Sequence, residues 1–244
     1  MSAVRTGESM YTFSGRIRYS ETNQEGYLKI ESLIDYFQDC STFQSEDLGI
    51  GIEYLTRDHL AWMVNAWQLD ILRLPRLGER IVVGTSPYEL KGFMGLRNFM
   101  LETADGERLV SANSIWSLFN MEKGVPERVT QKIASSYELA PKFDMEYLPR
   151  KIAVPEEGGI PEKEILITEQ FLDSNHHVNN GQYVRLAMAF CPKDQAVSRV
   201  RVEYKKQAYL GEIIVPVVFR RPEGKTLICL NSPAKETYAC VELR

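Results

Sequence analysis

The sequence predicts an α+β protein made of two tandem domains, each an antiparallel sheet wrapped around a helix. The first observation is the order of the elements: one strand and one long amphipathic helix are followed by several strands, without βαβ alternation. The second is that this order recurs in the second half of the chain. The third is the pair Asp105-Gly106 between two apolar runs, which favours an antiparallel hairpin because glycine adopts positive φ readily.

The first half shows both periodicities clearly. Apolar side chains alternate through residues 10–20, which predicts a strand. Residues 30–48 carry apolar side chains at helical spacing and precede Gly49, so they predict a helix that stops where positive φ is needed. Further strands are predicted at residues 60–74, 80–85, 96–102 and 108–119.

Residues 122–162 differ from the rest in composition. They hold five of the eleven prolines, which favours irregular chain with a short helix at 131–139. We therefore place an N-terminal domain at residues 1–135, a linker at 136–162 and a C-terminal domain at 163–244. The second domain is predicted to contain a strand at 163–170, a helix at 181–190, and strands at 197–204, 210–215, 226–230 and 237–243.

An internal repeat connects the two halves. The run Leu77-Gly78-Glu79 recurs as Leu210-Gly211-Glu212, and at the same offset the apolar positions of the preceding strands agree. By residue type, Glu21 aligns with Asp173 and Tyr27 aligns with His177. Only the second copy then carries an imidazole, so we expect one active site per chain.

The bulk composition excludes several classes of function. The formal net charge of −4 argues against general affinity for nucleic acid. No apolar run reaches transmembrane length, and the first residues lack the apolar core of a signal peptide, so we expect no membrane insertion. The four cysteines show no CxxC spacing, which indicates reduced thiols in a cytoplasmic protein. The sequence leaves homodimer formation open.

Residues 171–183 concentrate the groups that an active site needs. Asp173 is a carboxylate, Asn175 an amide donor, and His177 belongs to the residue type that titrates near neutral pH. The segment lies between an apolar strand-like run and a helical pattern that Asn179 or Asn180 can cap. Backbone donors at such a strand-to-helix turn can meet a developing negative charge.

This stretch resembles the motif of the acyl-ACP thioesterases, Asp-x-Asn-x-His-Val-Asn-Asn-x-x-Tyr. The matching residues are Asp173, Asn175, His177, Val178, Asn179, Asn180 and Tyr183. The resemblance extends over residues 11–243 and implies two tandem hotdog domains, with the catalytic residues in the second. It also implies hydrolysis of fatty acyl-acyl carrier protein (ACP) to free fatty acid and ACP, in fatty acid biosynthesis, without metal or other cofactor.

The chemistry needs an activated water and a donor for the oxyanion. We assign His177 to activating the water or holding the carbonyl, Asn175 to donating to the carbonyl oxygen or positioning the water, and Asp173 to orienting both. The plant members carry Glu-Tyr-Arg-Arg-Glu-Cys, whose second Glu is counted as catalytic. Here Gln207 stands at that position and Ala208 replaces the Cys, which excludes a cysteine mechanism through it. Gln207 can hydrogen-bond but cannot act as a base. Glu203 is a carboxylate of the same strand parity, so the sequence leaves open whether it replaces that Glu; a solvated strand residue is the favoured interpretation.

Substrate contacts complete the set of predictions. Asn179 and Asn180 are expected at the substrate, and Trp62, Met63 and Met94 are expected to line the acyl channel. A basic rim could steer the acidic carrier protein. It contains Arg185, Lys205 and Lys206, and a normal solvated strand face explains the same residues equally well.

Other readings remain beside acyl-ACP hydrolysis. One is hydrolysis of acyl-CoA, another is a non-catalytic acyl-binding module, and a hotdog dehydratase is weaker. His176 and His177 are adjacent and lack metal-ligand spacing, so no metal site is expected and His176 is interpreted as exposed. There is no Gly-x-Ser-x-Gly elbow, P-loop or Gly-x-Gly-x-x-Gly motif, which disfavours serine hydrolases and nucleotide-binding enzymes.

Overall fold

The structure is a computed structural model that describes residues 10–173, 175–192 and 196–244. The chain divides into two compact units. Unit 1 runs to Asn65 and continues over Leu69–Tyr147, while unit 2 contains Ala66–Gln68 and Leu148–Arg244. The boundary after Tyr147 therefore falls inside the stretch that the proline-rich composition marks as a linker.

Unit 1 is a sheet with one long helix. Its elements are β1 (Tyr11–Arg16), α1 (Ile30–Asp47), α2 (Ile52–Arg57), β2 (Leu60–Ile71), β3 (Arg80–Lys91), β4 (Met94–Thr103), β5 (Arg108–Asn120), β6 (Val125–Pro126) and α3 (Gln131–Ser136). The strand order is β1-β3-β4-β5-β2, and the pairings of β1, β3, β4 and β5 are antiparallel. Helix α1 packs against β1 and β3.

The long helix forms because its apolar side chains share one face. Leu33, Ile34 and Phe37 are fully buried, and the Phe37 ring lies 5.2 Å from the ring of Phe99 on β4. Gly49 follows the helix with a φ of +69°, a conformation that glycine tolerates without a Cβ penalty. The helix predicted from periodicity is therefore present and ends where the sequence indicates.

Unit 2 repeats this architecture with a shorter helix. Its elements are β7 (Ile160–Pro161), β8 (Ile165–Leu166), α4 (Asn180–Met188), β9 (Arg199–Tyr204), β10 (Ile213–Arg220), β11 (Thr226–Asn231) and β12 (Thr237–Leu243). The strand order is β9-β12-β11-β10-β7, β8 also pairs with β10, and each pairing is antiparallel. Helix α4 packs on β11 and β12. The α+β prediction is confirmed.

Two elements of the second half are shorter than their patterns suggest. The strand predicted over residues 163–170 is reduced to β8, because the N–H of Phe171 turns back to the carbonyl of Thr168 in a single 3₁₀ turn. Helix α4 is regular only to Met188, although Phe190 still donates its N–H to Ala187. The 3₁₀ turn leads the chain directly into the turn that carries the candidate site.

The internal repeat is visible in the main chain. Gly78 has a φ of +81° and donates its N–H to the carbonyl of Ile17 at 2.9 Å. Gly211 has a φ of +79° and donates its N–H to the carbonyl of Ile167, also at 2.9 Å. The two Leu-Gly-Glu runs therefore form equivalent turns, the first bound to the residue that follows β1 and the second to the residue that follows β8.

The alignment of the preceding turns by residue type is wrong by two positions at the acidic residue. Asn23 donates its N–H to the carbonyl of Tyr27 at 2.8 Å, and Asp173 donates its N–H to the carbonyl of His177 at 2.9 Å. Asn23, not Glu21, is thus the counterpart of Asp173. Pairing Glu21 with Asp173 because both are acidic shifted the alignment of the two turns by two residues. The main-chain hydrogen bonds give the correct alignment. The equivalence of Tyr27 and His177 holds.

Candidate active site

The turn between β8 and α4 is held by main-chain hydrogen bonds. The N–H of His176 binds the carbonyl of Asp173 at 3.1 Å, and the N–H of Val178 binds the carbonyl of Ala208 at 3.0 Å. His176 has a φ of +63°, a left-handed conformation in which histidine occurs more often than most residues. The turn therefore has a defined shape that does not depend on the side chain of His177.

The structure brings Asp173 and His177 together. The Oδ1 atom of Asp173 lies 3.7 Å from the Nδ1 atom of His177, which is an electrostatic contact longer than a direct hydrogen bond. The same Oδ1 atom accepts the main-chain N–H of Asn175 at 2.8 Å. The His177 side chain is 15% exposed, so its ring is largely shielded while one part still meets solvent.

Asn175 and His176 lie at the tip of the turn. Both residues are exposed. Asn175 contributes its main-chain N–H to the contact with Asp173, and its side chain lies at the surface. Exposure of His176 agrees with the sequence interpretation. The acid and the imidazole are therefore adjacent, and the predicted amide donor lies two residues from each along the chain.

The segment after β9 forms the second wall of the site. His177 and Tyr209 are paired as an isolated antiparallel bridge, and their rings meet edge to face with centroids 5.8 Å apart. The hydroxyl of Tyr209 donates to the Oε1 atom of Gln207 at 3.1 Å. Tyr209 was not singled out from the sequence. Its position two residues after Gln207, in an extended segment where alternate side chains share a face, is the signal that could have found it.

Ala208, between these two residues, is anchored through its main chain. Its N–H donates to the hydroxyl oxygen of Tyr183 on α4 at 2.9 Å. Burial raises the pKa of the Tyr183 hydroxyl, which therefore stays neutral. The hydroxyl of Tyr204 donates to the carbonyl of Asn180 at 2.9 Å. The start of α4 and the Gln207–Tyr209 segment are consequently held together.

The two asparagines predicted at the substrate have structural roles at the helix start. The Oδ1 atom of Asn179 accepts the N–H of Gly181 at 2.8 Å, so Asn179 is the N-cap of α4. Asn180 is the first residue of the helix, and its carbonyl accepts from Tyr204. Their contact with substrate stays a prediction.

The structure places Glu203 in a buried position, contrary to the expectation from the sequence. The sequence suggested a solvated strand residue, but Glu203 is only 6% exposed. Its Oε2 atom accepts the N–H of Ile152 at 3.0 Å and lies 3.8 Å from the Nζ atom of Lys205. Buried carboxylates need such partners because desolvation is costly. The expectation failed because the segment around Ile152 covers this face of β9.

The basic residues differ in their partners. Lys206 binds Glu236 at 2.6 Å at the surface, and Lys205 lies beside Glu203. Arg185 is exposed on α4, where its Nη1 atom lies 3.4 Å from the Oε1 atom of Gln182. All three carry their charge at the surface of unit 2.

The residues predicted to line the acyl channel belong to unit 1. Trp62, Met63 and Met94 are half-buried on β2 and β4. The Trp62 ring lies against Gly95, where an added Cβ would come within 3.1 Å of it. The glycine therefore leaves space for the indole.

The described residues form neither a metal site nor a membrane-spanning helix. In that part of the chain no three His, Cys, Asp or Glu side chains are arranged to hold a metal ion. Nor does any helix there have the length and apolarity to cross a membrane. The chemistry available at the turn is that of an imidazole, a carboxylate, amides and a phenol.

Two units of antiparallel strands, each with a helix packed on its strands, and an acid–imidazole turn at the start of α4 define a double-hotdog protein. Comparison with known proteins agrees. Residues 8–137 match the family described as acyl-ACP thioesterase N-terminal domain. A chloroplastic acyl-(acyl carrier protein) hydrolase of Cuphea viscosissima is 26% identical over 84% of this chain and 54% of the relative.

Solved structures show the same fold. An acyl-ACP thioesterase of Bacteroides thetaiotaomicron superposes with a TM-score of 0.88 at 18% identity, covering 96% of this chain and 97% of the other. A 12:0-ACP thioesterase of Umbellularia californica gives 0.84 at 15% identity, covering 99% and 98%. The chain belongs to the acyl-ACP thioesterase family. It spans about half the length of the curated relatives that it matches.

Proposed function

We propose that the protein hydrolyses the thioester of fatty acyl-ACP, releasing free fatty acid and ACP for lipid metabolism. The observation that carries this proposal is the contact of Asp173 with His177 at the start of α4, in a chain of this family. The relatives named as acyl-(acyl carrier protein) hydrolase and oleoyl-acyl carrier protein thioesterase support the same substrate class.

The reaction can be written with the groups of the turn. His177 takes a proton from a water whose oxygen attacks the thioester carbonyl carbon, and Asp173 stabilises the imidazolium that forms. Asn175 and Gln207 donate to the carbonyl oxygen, which becomes negatively charged in the tetrahedral intermediate. Collapse of the intermediate breaks the carbon–sulfur bond, and the proton on His177 passes to the thiolate sulfur.

The same proposal includes the sites of the acyl chain and the carrier. Trp62, Met63 and Met94 offer half-buried apolar surface suited to an acyl chain. Arg185 and Lys206 offer exposed cations that suit an acidic carrier protein. A cytoplasmic location belongs to the proposal too, and the free thiol state of all four cysteines supports it.

The test is thiol release from matched acyl-ACP and acyl-CoA panels. Wild type is compared with His177→Ala and Asn175→Ala. We expect hydrolysis of acyl-ACP by wild type, and a loss of about 10²–10³-fold in kcat when one oxyanion donor or the base is removed. Faster turnover of acyl-CoA would instead favour an acyl-CoA thioesterase. Tight acyl-ACP binding without thiol release would favour a non-catalytic acyl-binding protein.

A further inference from the structure

We propose that Tyr209 is a positioning residue of this site. It holds the imidazole of His177 in one plane and turns Gln207 so that its amide nitrogen, not its oxygen, is presented to the reacting carbonyl. The proposal rests on the function proposed above. It assigns Gln207 the role of an oxyanion donor, and it assigns Tyr209 the role of orienting both neighbours.

The first observation is the ring contact. The Tyr209 and His177 rings are 5.8 Å apart at an interplanar angle of 75°, an edge-to-face arrangement. Such a contact prefers one ring orientation over others because the edge of one ring is electropositive and the face of the other is electronegative. Tyr209 is 46% exposed, so this packing is supplied by a side chain that is not itself part of the core.

The second observation is the direction of the hydrogen bond to Gln207. The Tyr209 hydroxyl donates to Oε1, at 3.1 Å. An amide whose oxygen is already occupied has its NH₂ group left to bind another partner, and NH₂ can only donate. A donor matches a thioester oxygen that gains negative charge, whereas a glutamate at this position could only accept when ionised. The hydroxyl of Tyr209 therefore leaves the side chain of Gln207 to act as a hydrogen-bond donor.

The third observation is that the main chain fixes both side chains. The N–H of Tyr209 donates to the Oε2 atom of Glu212 at 3.0 Å. Ala208, the residue between Gln207 and Tyr209, is bound through its N–H to Tyr183 and through its carbonyl to Val178. Tyr209 can hold its neighbours in place only if its own main chain is fixed, because a mobile side chain cannot orient another one.

The equivalent turn of unit 1 has the same pattern of main-chain contacts but different side chains. The N–H of Arg76 donates to the Oε2 atom of Glu79 at 2.9 Å, and Arg76 is bridged to Tyr27 as Tyr209 is bridged to His177. There the guanidinium donates to the Tyr27 hydroxyl at 2.6 Å and lies 4.8 Å from its ring centre. The fold thus places these two side chains in contact in both units. In unit 2 the pair is an imidazole and a phenol.

The test is a double-mutant cycle between Tyr209→Phe and Gln207→Met, with kcat and KM measured on acyl-ACP. Tyr209→Phe keeps the ring on His177 and removes the hydroxyl, so kcat should fall about 3–10-fold with little change in KM. Tyr209→Leu removes the ring as well and should lower kcat about 10–100-fold. In the Gln207→Met background, Tyr209→Phe should have no further effect. Tyr27→Phe, which removes the tyrosine hydroxyl bound by Arg76 in the corresponding turn of unit 1, is the control and should leave kcat unchanged.

A readout independent of turnover separates this proposal from the function itself. NMR signals of the His177 ring, assigned by their loss in His177→Ala, should carry a ring-current shift that Tyr209→Phe retains and Tyr209→Leu abolishes. If wild type releases no thiol, the proposed hydrolysis is wrong, and these signals alone decide whether Tyr209 positions His177. Additive losses in the cycle, unchanged kcat in Tyr209→Phe, or unmoved ring signals in Tyr209→Leu would overturn the proposal.

Discussion

The carboxylate of Asp173 has two separate roles in the turn. One oxygen accepts the N–H of Asn175, which is a structural contact, and the same oxygen lies 3.7 Å from the imidazole of His177, which is an electrostatic one. The counterpart in unit 1, Asn23, accepts the N–H of Tyr27 at 2.9 Å with an amide oxygen. The two side chains thus accept different main-chain N–H groups, two residues on for Asp173 and four residues on for Asn23. Asn23 shows that an uncharged amide oxygen can serve as an acceptor in this turn, and we assign the negative charge of Asp173 to its contact with the imidazole.

Substitution of Asp173 should separate these roles. Asp173→Asn keeps the acceptor and loses the charge, so the melting temperature should stay unchanged while kcat on acyl-ACP falls at least about 10-fold. Asp173→Ala loses both and should also cost about 1 kcal/mol of stability. Calorimetry and steady-state kinetics measure the two effects. Asn23→Asp in unit 1 is the control, expected to retain kcat. Full activity in Asp173→Asn would show that the charge is not used.

Glu203 is a second residue whose role can be resolved. Glu203→Gln retains an acceptor for Ile152, so stability and kcat should both change little. Glu203→Ala leaves that buried N–H without its acceptor and should cost about 1–3 kcal/mol, measured as a lower urea midpoint. The folded Glu203→Ala protein should still turn over within about twofold of wild type. A large loss of kcat in Glu203→Gln at unchanged stability would instead make this carboxylate part of the chemistry.

The helices of the two units occupy equivalent places but differ in length and charge. Helix α1 has 18 residues and α4 has nine. Along one face of α1, Glu31, Asp35 and Asp39 follow each other at a spacing of four, where like charges repel. In the register defined by the two turns, Arg185 stands on α4 where Asp35 stands on α1. The longer helix has the larger apolar face and tolerates this repulsion.

Asp35 makes the stability of α1 depend on pH. Burial raises the pKa of its carboxyl to about 6, and Asp39, Glu31 and Glu21 add to the increase, while Lys29 opposes it. Because the folded state binds this proton more tightly than the unfolded chain does, the contribution to stability is complete below about pH 4 and is lost as the pH rises through about 6.

Asp35→Asn should remove that dependence. The variant should be about 1–2 kcal/mol more stable than wild type at pH 8 and indistinguishable from it at pH 4. Thermal unfolding followed at pH 4, 6 and 8 measures the difference. Asp105→Asn, in the exposed hairpin, is the matched control. A gain of the same size at pH 4 and pH 8 would contradict the assignment.

The elements predicted best from the sequence are those determined by residues close together in the chain. The helix α1 and the hairpin at Asp105-Gly106 follow from apolar spacing and from glycine, which is why both are present where expected. Helix α2 was not predicted because its six residues are too few to show a period, and its Ile52 is 61% exposed.

The candidate site was predictable only in part, for a related reason. Asp173 and His177 share one turn, so their proximity follows from the chain itself. Tyr209 meets His177 through a bridge between separate segments, and its spacing from Gln207 indicates a shared face without specifying that contact. Burial of Glu203 likewise depends on a distant segment at Ile152. The predicted roles of Asn175, Gln207 and the acyl-channel residues stay predictions.

At the scale of the whole molecule the charge is slightly acidic, with 29 Lys and Arg against 33 Asp and Glu. An acidic carrier protein would therefore be repelled on average, and productive encounter requires a local basic surface. Arg185 and Lys206 are the exposed cations proposed for this role. Lys205 is less suited to a charge reversal, because it lies 3.8 Å from the buried Glu203 carboxylate.

Charge reversal should test carrier steering. Arg185→Glu combined with Lys206→Glu should lower kcat/KM on acyl-ACP about 10-fold at low salt, and the loss should shrink as the salt concentration rises. Hydrolysis of a small uncharged thioester, acyl-N-acetylcysteamine, should be unchanged. Lys123→Glu with Lys132→Glu in unit 1 alters the net charge equally and serves as control. Equal losses in both double variants would show a general charge effect and no docking surface.

The paired turns have a consequence for how the two halves could diverge. Each turn is held by main-chain hydrogen bonds and by a glutamate, Glu79 or Glu212. The carboxylate of that glutamate accepts the main-chain N–H of the residue three positions earlier. None of these braces uses the side chain at position 27 or 177. A duplicated ancestor could therefore lose reactive groups from one copy and refine them in the other, while both copies kept their form. Main-chain hydrogen bonds preserve the conformation of both turns, so the reactive side chains can differ between the two copies.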